Sequence, residues 1–199
     1  SYVDCLALHY QQKSGAISFL KSALKEQLSA VDASRLKLKL ADILVISNKF
    51  NQALLYYAQV QTTLKNSTLA QEARFKSART SYFKGDFDWA ETQLKVLKSS
   101  TSQLMANDAL ELQLLITDHK FGDSLQSPLR LYAKADFLNL QNNKTEAILV
   151  LDSLITQHNT HGIVDQALLF QAQLFDNTAQ HQQATHKYLT IIDNFSSEI

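Results

Sequence analysis

Glycine and proline are nearly missing from this chain. There are four glycines and one proline in 199 residues, five positions where ordinary usage would give roughly 12% of the chain. Strand-rich folds need turn residues every 8–12 positions or so, so most β and α/β architectures are excluded, and long helices with short connections remain. An excess of one charge is missing too: 19 Lys and Arg stand against 19 Asp and Glu. Nothing is left over to neutralise phosphates, which speaks against a dedicated nucleic-acid binder. No apolar run approaches the ~18–20 residues that cross a bilayer. With a single cysteine, Cys5, no intrachain disulfide can form, and this residue reads as a small buried side chain rather than a reactive thiol. No signal peptide is visible. The chain opens on Ser1 within a helix-like pattern, as expected of a piece cut from a longer precursor.

What is present is apolar content, at 45% of residues, enough for a sizeable core in one or two domains. Glutamine is plentiful at 19 positions, which suits solvated helix faces. An internal repeat organises both. Ala16, Ala53, Ala90, Ala147 and Ala184 are spaced by 37, 37, 57 and 37 residues. Four positions on stand Leu20, Tyr57, Leu94, Leu151 and Tyr188, and seven on stand Ala23, Val60, Leu97, Leu154 and Ile191. Twelve positions before the anchor stand Ala41, Ala78, Ala135 and Ala172, with Asp4 the exception in the first unit. Small residues at both places let two antiparallel helices cross closely, and the later positions fall on one face of the second helix.

Each unit therefore reads as helix, turn, helix. The turns are expected at Asn48-Lys49, Gly85-Asp86, Asn142-Asn143 and Asn177-Thr178, where Gly and Asn tolerate a left-handed helix end. Gly15, Gly85, Gly122 and Gly162 are all expected at helix junctions, and Ser127 is expected to cap a helix ahead of Pro128. The 57-residue gap exceeds the others by 20 residues, room for one unpaired helix at about 104–119, striped by Met105, Ala109, Leu112 and Ile116. A loop with Phe121-Gly122-Asp123 should follow. This gives about eleven helices, and the stack should bend or change pitch at the inserted one.

These residues resemble the tetratricopeptide repeat, whose pattern has a small residue at position 8, Ala at 20, an aromatic or aliphatic residue at 24 and a small or apolar one at 27. Ala41, Ala53, Tyr57 and Val60 fit it, as do Ala78, Ala90, Leu94 and Leu97, and Ala172, Ala184, Tyr188 and Ile191. The Trp and Pro of the consensus are missing, and the period is 37 where ~34 is usual. The excess is close to one helical turn, so longer helices are expected. The resemblance implies an all-α, right-handed solenoid of helix pairs over residues 1–199, and stretches such as NKFNQALLYYAQVQ are similar to larger repeat proteins of bacterial envelopes, especially of the Bacteroidota. A periplasmic or envelope location would follow.

The resemblance also implies a site. In such repeats the first helix of each pair lines a concave face that holds a peptide or protein segment. Carried over, the contacts are Arg35, Leu38 and Asp42 in the second unit, then Glu72, Phe75, Arg79, Tyr82 and Phe83 in the third. The fourth gives Tyr132, Asp136 and Asn139, and the fifth Gln166, Gln173 and Asp176. The third unit stands out, because aromatics beside an arginine are enriched at binding hot spots. A clamp for a peptide C-terminal carboxylate is not expected, since Leu38 stands where the family's Lys would be and Asp42 replaces its Asn.

Chemistry is otherwise sparse. No glycine-rich phosphate loop, nucleophile elbow or paired-carboxylate spacing occurs, so no enzyme and no cofactor is expected. His158 and His161 fall between helices and read as solvated loop residues rather than zinc ligands, which need three or four converging groups. Three Asn-X-Ser/Thr matches, at Asn66, Asn143 and Asn194, are treated as chance. The leading expectation is a non-enzymatic interaction scaffold. A subunit of a larger assembly, self-associating or joined through convex or terminal surfaces, is the second, since IIDNFSSEI looks like the close of a repeat that runs on into another helix. A ligand-sensing regulator is the third.

Overall fold

The computed structural model describes residues 13–97, 103–121 and 125–195. The expected helix before residue 13, with Asp4 and Cys5, and the positions of Gly122 and Asp123 lie outside the described residues. Those described form ten α-helices and no strand. They are α1 (Lys13–Ala23), α2 (Ala30–Ile46), α3 (Phe50–Thr63), α4 (Thr68–Lys84), α5 (Phe87–Val96), α6 (Gln103–His119), α7 (Ser127–Leu140), α8 (Lys144–Gln157), α9 (Val164–Asp176) and α10 (His181–Phe195). The inserted helix is α6, with Ala109 and Ile116 fully buried.

Local sequence explains the helix ends. The Ser29 and Ser67 hydroxyls accept the N–H groups of Asp32 and Ala70, both at 3.1 Å, and cap α2 and α4. Such a cap is worth about 1 kcal/mol. Four helix-to-helix turns then share one geometry. Asn48, Gly85, Asn142 and Ala179 take left-handed φ angles of 59°, 80°, 62° and 58°, and their spacings of 37, 57 and 37 residues copy the alanine spacing. In each turn the next residue's N–H donates to the carbonyl five positions back: Lys49 to Leu44, Asp86 to Ser81, Asn143 to Leu138 and Gln180 to Phe175, at 2.8–2.9 Å. This is the Schellman closure of a helix C-terminus, and the second helix begins two residues after each left-handed one.

Three local expectations need correction. The fourth turn centres on Ala179, two residues beyond the expected Asn177, because Asn177 keeps right-handed angles (φ −64°, ψ −12°). Gly15 lies inside the first turn of α1 rather than at a junction, and a Cβ there would meet nothing within 4 Å. Ser127 is the first residue of α7 and not its cap; the cap position is Gln126 at φ 54°, so Pro128 falls in the first turn, where its missing N–H costs little.

Packing follows the repeat. All nine alanines at the anchor position and twelve before it, from Ala16 to Ala184, are exposed by 1% or less. Leu20, Tyr57, Leu94 and Leu151 at the fourth position, and Val60, Leu97 and Leu154 at the seventh, are buried against them. Each such large side chain contributes about 1.5–3 kcal/mol on burial. Helices pack on their chain neighbours: α1 on α2, α2 on α3, α3 on α4, α4 on α5, α7 on α8, α8 on α9 and α9 on α10. Helix α2 also meets α4, so consecutive first helices touch.

Two compact units result, Ser1–Thr117 and Asp118–Ile199, with the boundary inside α6. In the first unit the α5–α6 link includes a hydrogen bond from the Thr117 hydroxyl to Glu91 at 3.3 Å. In the second, Gln171, fully buried on α9, donates to the Ile148 carbonyl at 3.2 Å and to Asp152 at 2.7 Å on α8.

Two substitutions probe these devices. Ala90→Leu should overfill the α4–α5 crossing and destabilise by about 1–3 kcal/mol. Ala179→Gly should stabilise by about 1 kcal/mol by relieving the left-handed alanine. Urea unfolding followed by far-ultraviolet circular dichroism would move its midpoint down for the first and up for the second.

Candidate functional site

The face shared by the first helices α2 and α4 is built by helical spacing. Glu72, Phe75, Arg79 and Phe83 follow one another at three- and four-residue steps on α4, and Lys76 lies four residues after Glu72 and three before Arg79, so they share one face of the helix. Across from it, α2 contributes Asp42. The Lys76 ammonium bridges the helices, 2.7 Å from Asp42 and 2.9 Å from Glu72. The other Asp42 oxygen accepts the Tyr57 hydroxyl at 2.7 Å, so one carboxylate ties α2, α3 and α4 together. Burial, reinforced by Asp42, raises the Tyr57 phenol far above its ordinary range. Burial alone would lower Lys76, but Asp42 and Glu72 outweigh it and hold the ammonium above its usual value.

The anticipated contacts divide accordingly. Arg35 is exposed and paired with Asp32 at 3.4 Å, in the same helix. Asp42 is half-buried and engaged twice, so it is a structural tie rather than an open contact. Phe75 is half-buried, and Arg79 lies over the Phe83 ring with its guanidinium carbon 5.3 Å from the centroid. Tyr82 is corrected outright. It is fully buried, with its ring 5.5 Å from Phe83 and 5.9 Å from Phe87. It presents no surface to a partner, because α5 returns over it after the Gly85 turn. Leu38 is likewise buried in the core.

In the second unit, Tyr132 on α7 and Phe170 on α9 meet at 5.7 Å between ring centroids, again joining consecutive first helices. Asp136 and Asn139 are half-buried on α7, and Gln173 is exposed on α9. Asp176 is taken up locally: it accepts the Tyr188 hydroxyl at 3.1 Å and lies 3.1 Å from His181 Nδ1.

The histidines also differ from expectation. His161 is not a solvated loop residue; its ring packs 5.8 Å from that of His119, which is buried at the end of α6. Gly162 lies beside the pair, where a Cβ would make ordinary contact with the His119 ring at 3.8 Å. Burial, then the neighbouring His161, lowers the His119 pKa, while Asp118, Asp165 and Gln166 oppose the shift. The pairing went unseen in sequence because 42 positions separate the two rings. Among the described residues, no three His, Cys, Asp or Glu side chains gather as a metal would require. No described helix is long and apolar enough to cross a membrane.

No protein-family model matches the chain, and a search of curated proteins gives no significant match.

Three outcomes follow from this geometry. Asp42→Ala should destabilise by about 1–3 kcal/mol, since the buried Tyr57 hydroxyl loses its acceptor, and Tyr82→Ala by about 3–5 kcal/mol as a core aromatic truncation; chemical denaturation measures both. For His119, a folded pKa below the ordinary ~6.5 means that the unfolded chain takes up the proton first as pH falls. Its contribution to stability is therefore intact above about pH 6.5 and lost as pH drops toward the folded value. Thermal melts at pH 7.5 and 5.5 should show a smaller acid loss in His119→Asn than in the parent protein.

Proposed function

We propose that the protein is a non-enzymatic binding scaffold of tetratricopeptide type, whose stacked first helices hold an extended peptide or protein segment. The observation that carries this reading is the α4 stripe. Phe75, Arg79 and Phe83 are partly exposed on one face, beside a Lys76–Asp42–Glu72 cluster that anchors α4 to α2. An aromatic surface with a stacked guanidinium suits an extended backbone: rings give contact area at low entropic cost, and arginine gives directed hydrogen bonds. The repeat supports the reading as well, since within the first unit α2 and α4 touch and share one face.

Display of random peptides against the full chain tests it. Enriched sequences should lose at least tenfold in affinity against the double variant Phe75→Ala, Arg79→Glu, whose side chains lie outside the core. An equal affinity for parent and variant, or no enrichment at all, would remove the reading.

One observation favours assembly as the second function. Tyr188 stands at the position held by the buried Leu20, Tyr57, Leu94 and Leu151, and Ile191 at that of the buried Val60, Leu97 and Leu154, yet both are half-exposed on α10, and Leu189 and Ile192 beside them are exposed by 53% and 55%. A face of this kind suits a further helix from another subunit. Light scattering over a hundredfold range of concentration should then show a mass that rises with concentration, and a constant monomer mass would count against it.

A further inference from the structure

A groove of about 620 Å³ opens in the first unit, away from the α4 stripe and lined from α3, the α3–α4 connection, α4 and α5. Its volume lies within the range of small-ligand sites, roughly 300–1,000 Å³. The buried Ala70 and Leu97 give it an apolar lining, which the exposed Val96 extends. Gln61 and Gln71 supply amides, and Arg74 and Lys65 supply two positive charges. No Asp or Glu lines it.

Several other cations of the unit are paired. Lys76, Lys84, Lys95 and Arg35 each meet a carboxylate within 3.4 Å. Arg74 instead is half-buried, and among the described residues its one hydrogen bond runs from Nε to the Gln61 side-chain oxygen at 3.4 Å. Lys65, at the end of the same groove, has no carboxylate partner among the described residues either. With its Nε held by a neutral amide, the two terminal amino groups of this guanidinium form a planar fork matched to an oxyanion.

We propose that this groove is an oxyanion-binding site, in which Arg74 engages the anion in bidentate fashion and Lys65 adds a second positive charge at the rim. The apolar lining at Ala70, Val96 and Leu97 receives a short hydrocarbon segment attached to the anion. The chemistry fits two sources, the carboxylate of a short acidic peptide and a phosphate group. The site is independent of the α4 stripe.

The test is titration of the full chain at low ionic strength, by calorimetry and by amide chemical shifts, with two probes: inorganic phosphate and acetyl-Ala-Leu-Ala-Glu with a free C-terminus. Saturable binding of at least one probe is expected, with shifts centred on residues 58–74 and 96–97. Peptide binding alone assigns the anion to a carboxylate with its apolar attachment, and phosphate binding alone assigns it to phosphate. Arg74→Gln should weaken binding at least tenfold. Arg74→Lys, which keeps the charge but not the fork, should fall between, and Lys65→Gln should lose a few-fold. Lys21→Gln, which removes an exposed charge on α1 outside both surfaces, should bind as the parent does, which separates loss of this site from a general change in net charge. Binding of neither probe, or parent-like binding by Arg74→Gln, overturns the proposal. If Arg74→Gln shows an altered circular dichroism spectrum, Arg74→Lys and Lys65→Gln decide the matter by the same criterion.

Discussion

The close crossing of two helices at paired alanines is the constraint on which the remaining structure depends. Interaxial distance is set by the side chains at the contact, and alanine at both places leaves little bulk between the backbones. Once Ala41 meets the neighbourhood of Ala53, or Ala78 that of Ala90, the residues one and two turns further along the second helix have no choice but to face inward. Tyr57, Val60, Leu94 and Leu97 are buried for that reason. The alanines themselves remove little apolar area from water. Their effect is to let larger neighbours remove a great deal.

The turns serve the same crossing. A left-handed residue followed by a carbonyl closure five positions back reverses the chain over very few residues, so the second helix returns at once over the first. Glycine does this without strain at position 85, asparagine does it at 48 and 142, and alanine is forced into it at 179 by the register of the repeat. Serine caps at the start of α2 and α4 complete the local signals. Packing then proceeds from neighbour to neighbour, the arrangement in which each interface contributes its own share of stability.

Polar groups were sorted by this packing, and their chemistry alone did not decide where they went. Asp42 and Arg79 occupy equivalent repeat positions, 37 residues apart, yet one is bound into a three-helix tie and the other lies over an aromatic ring near the surface. Adjacent aromatics part in the same way: Tyr82 enters the core and Phe83 stays half-exposed, because successive helical residues are turned about 100° from each other. The cations of the first unit part as well: Lys76 and Lys84 are neutralised by carboxylates, while Arg74, in the groove beside α3, α4 and α5, meets a neutral amide.

Much of the fold was legible beforehand. Scarcity of glycine and proline pointed to helices, and the 37-residue recurrence of alanine located the pairs and the inserted helix, because helical periodicity and turn chemistry act over a few residues. The site was legible only as a set of positions. Which of them lie open depends on partners in other helices: Tyr57 and Lys76 for Asp42, Phe87 for Tyr82, Phe170 for Tyr132. The sequence by itself therefore determined the helical class, the repeat and nearly every turn. Only the tertiary structure decided which polar side chains are committed to holding helices together and which remain available for a ligand, since burial and pairing are set by neighbours that local periodicity does not specify.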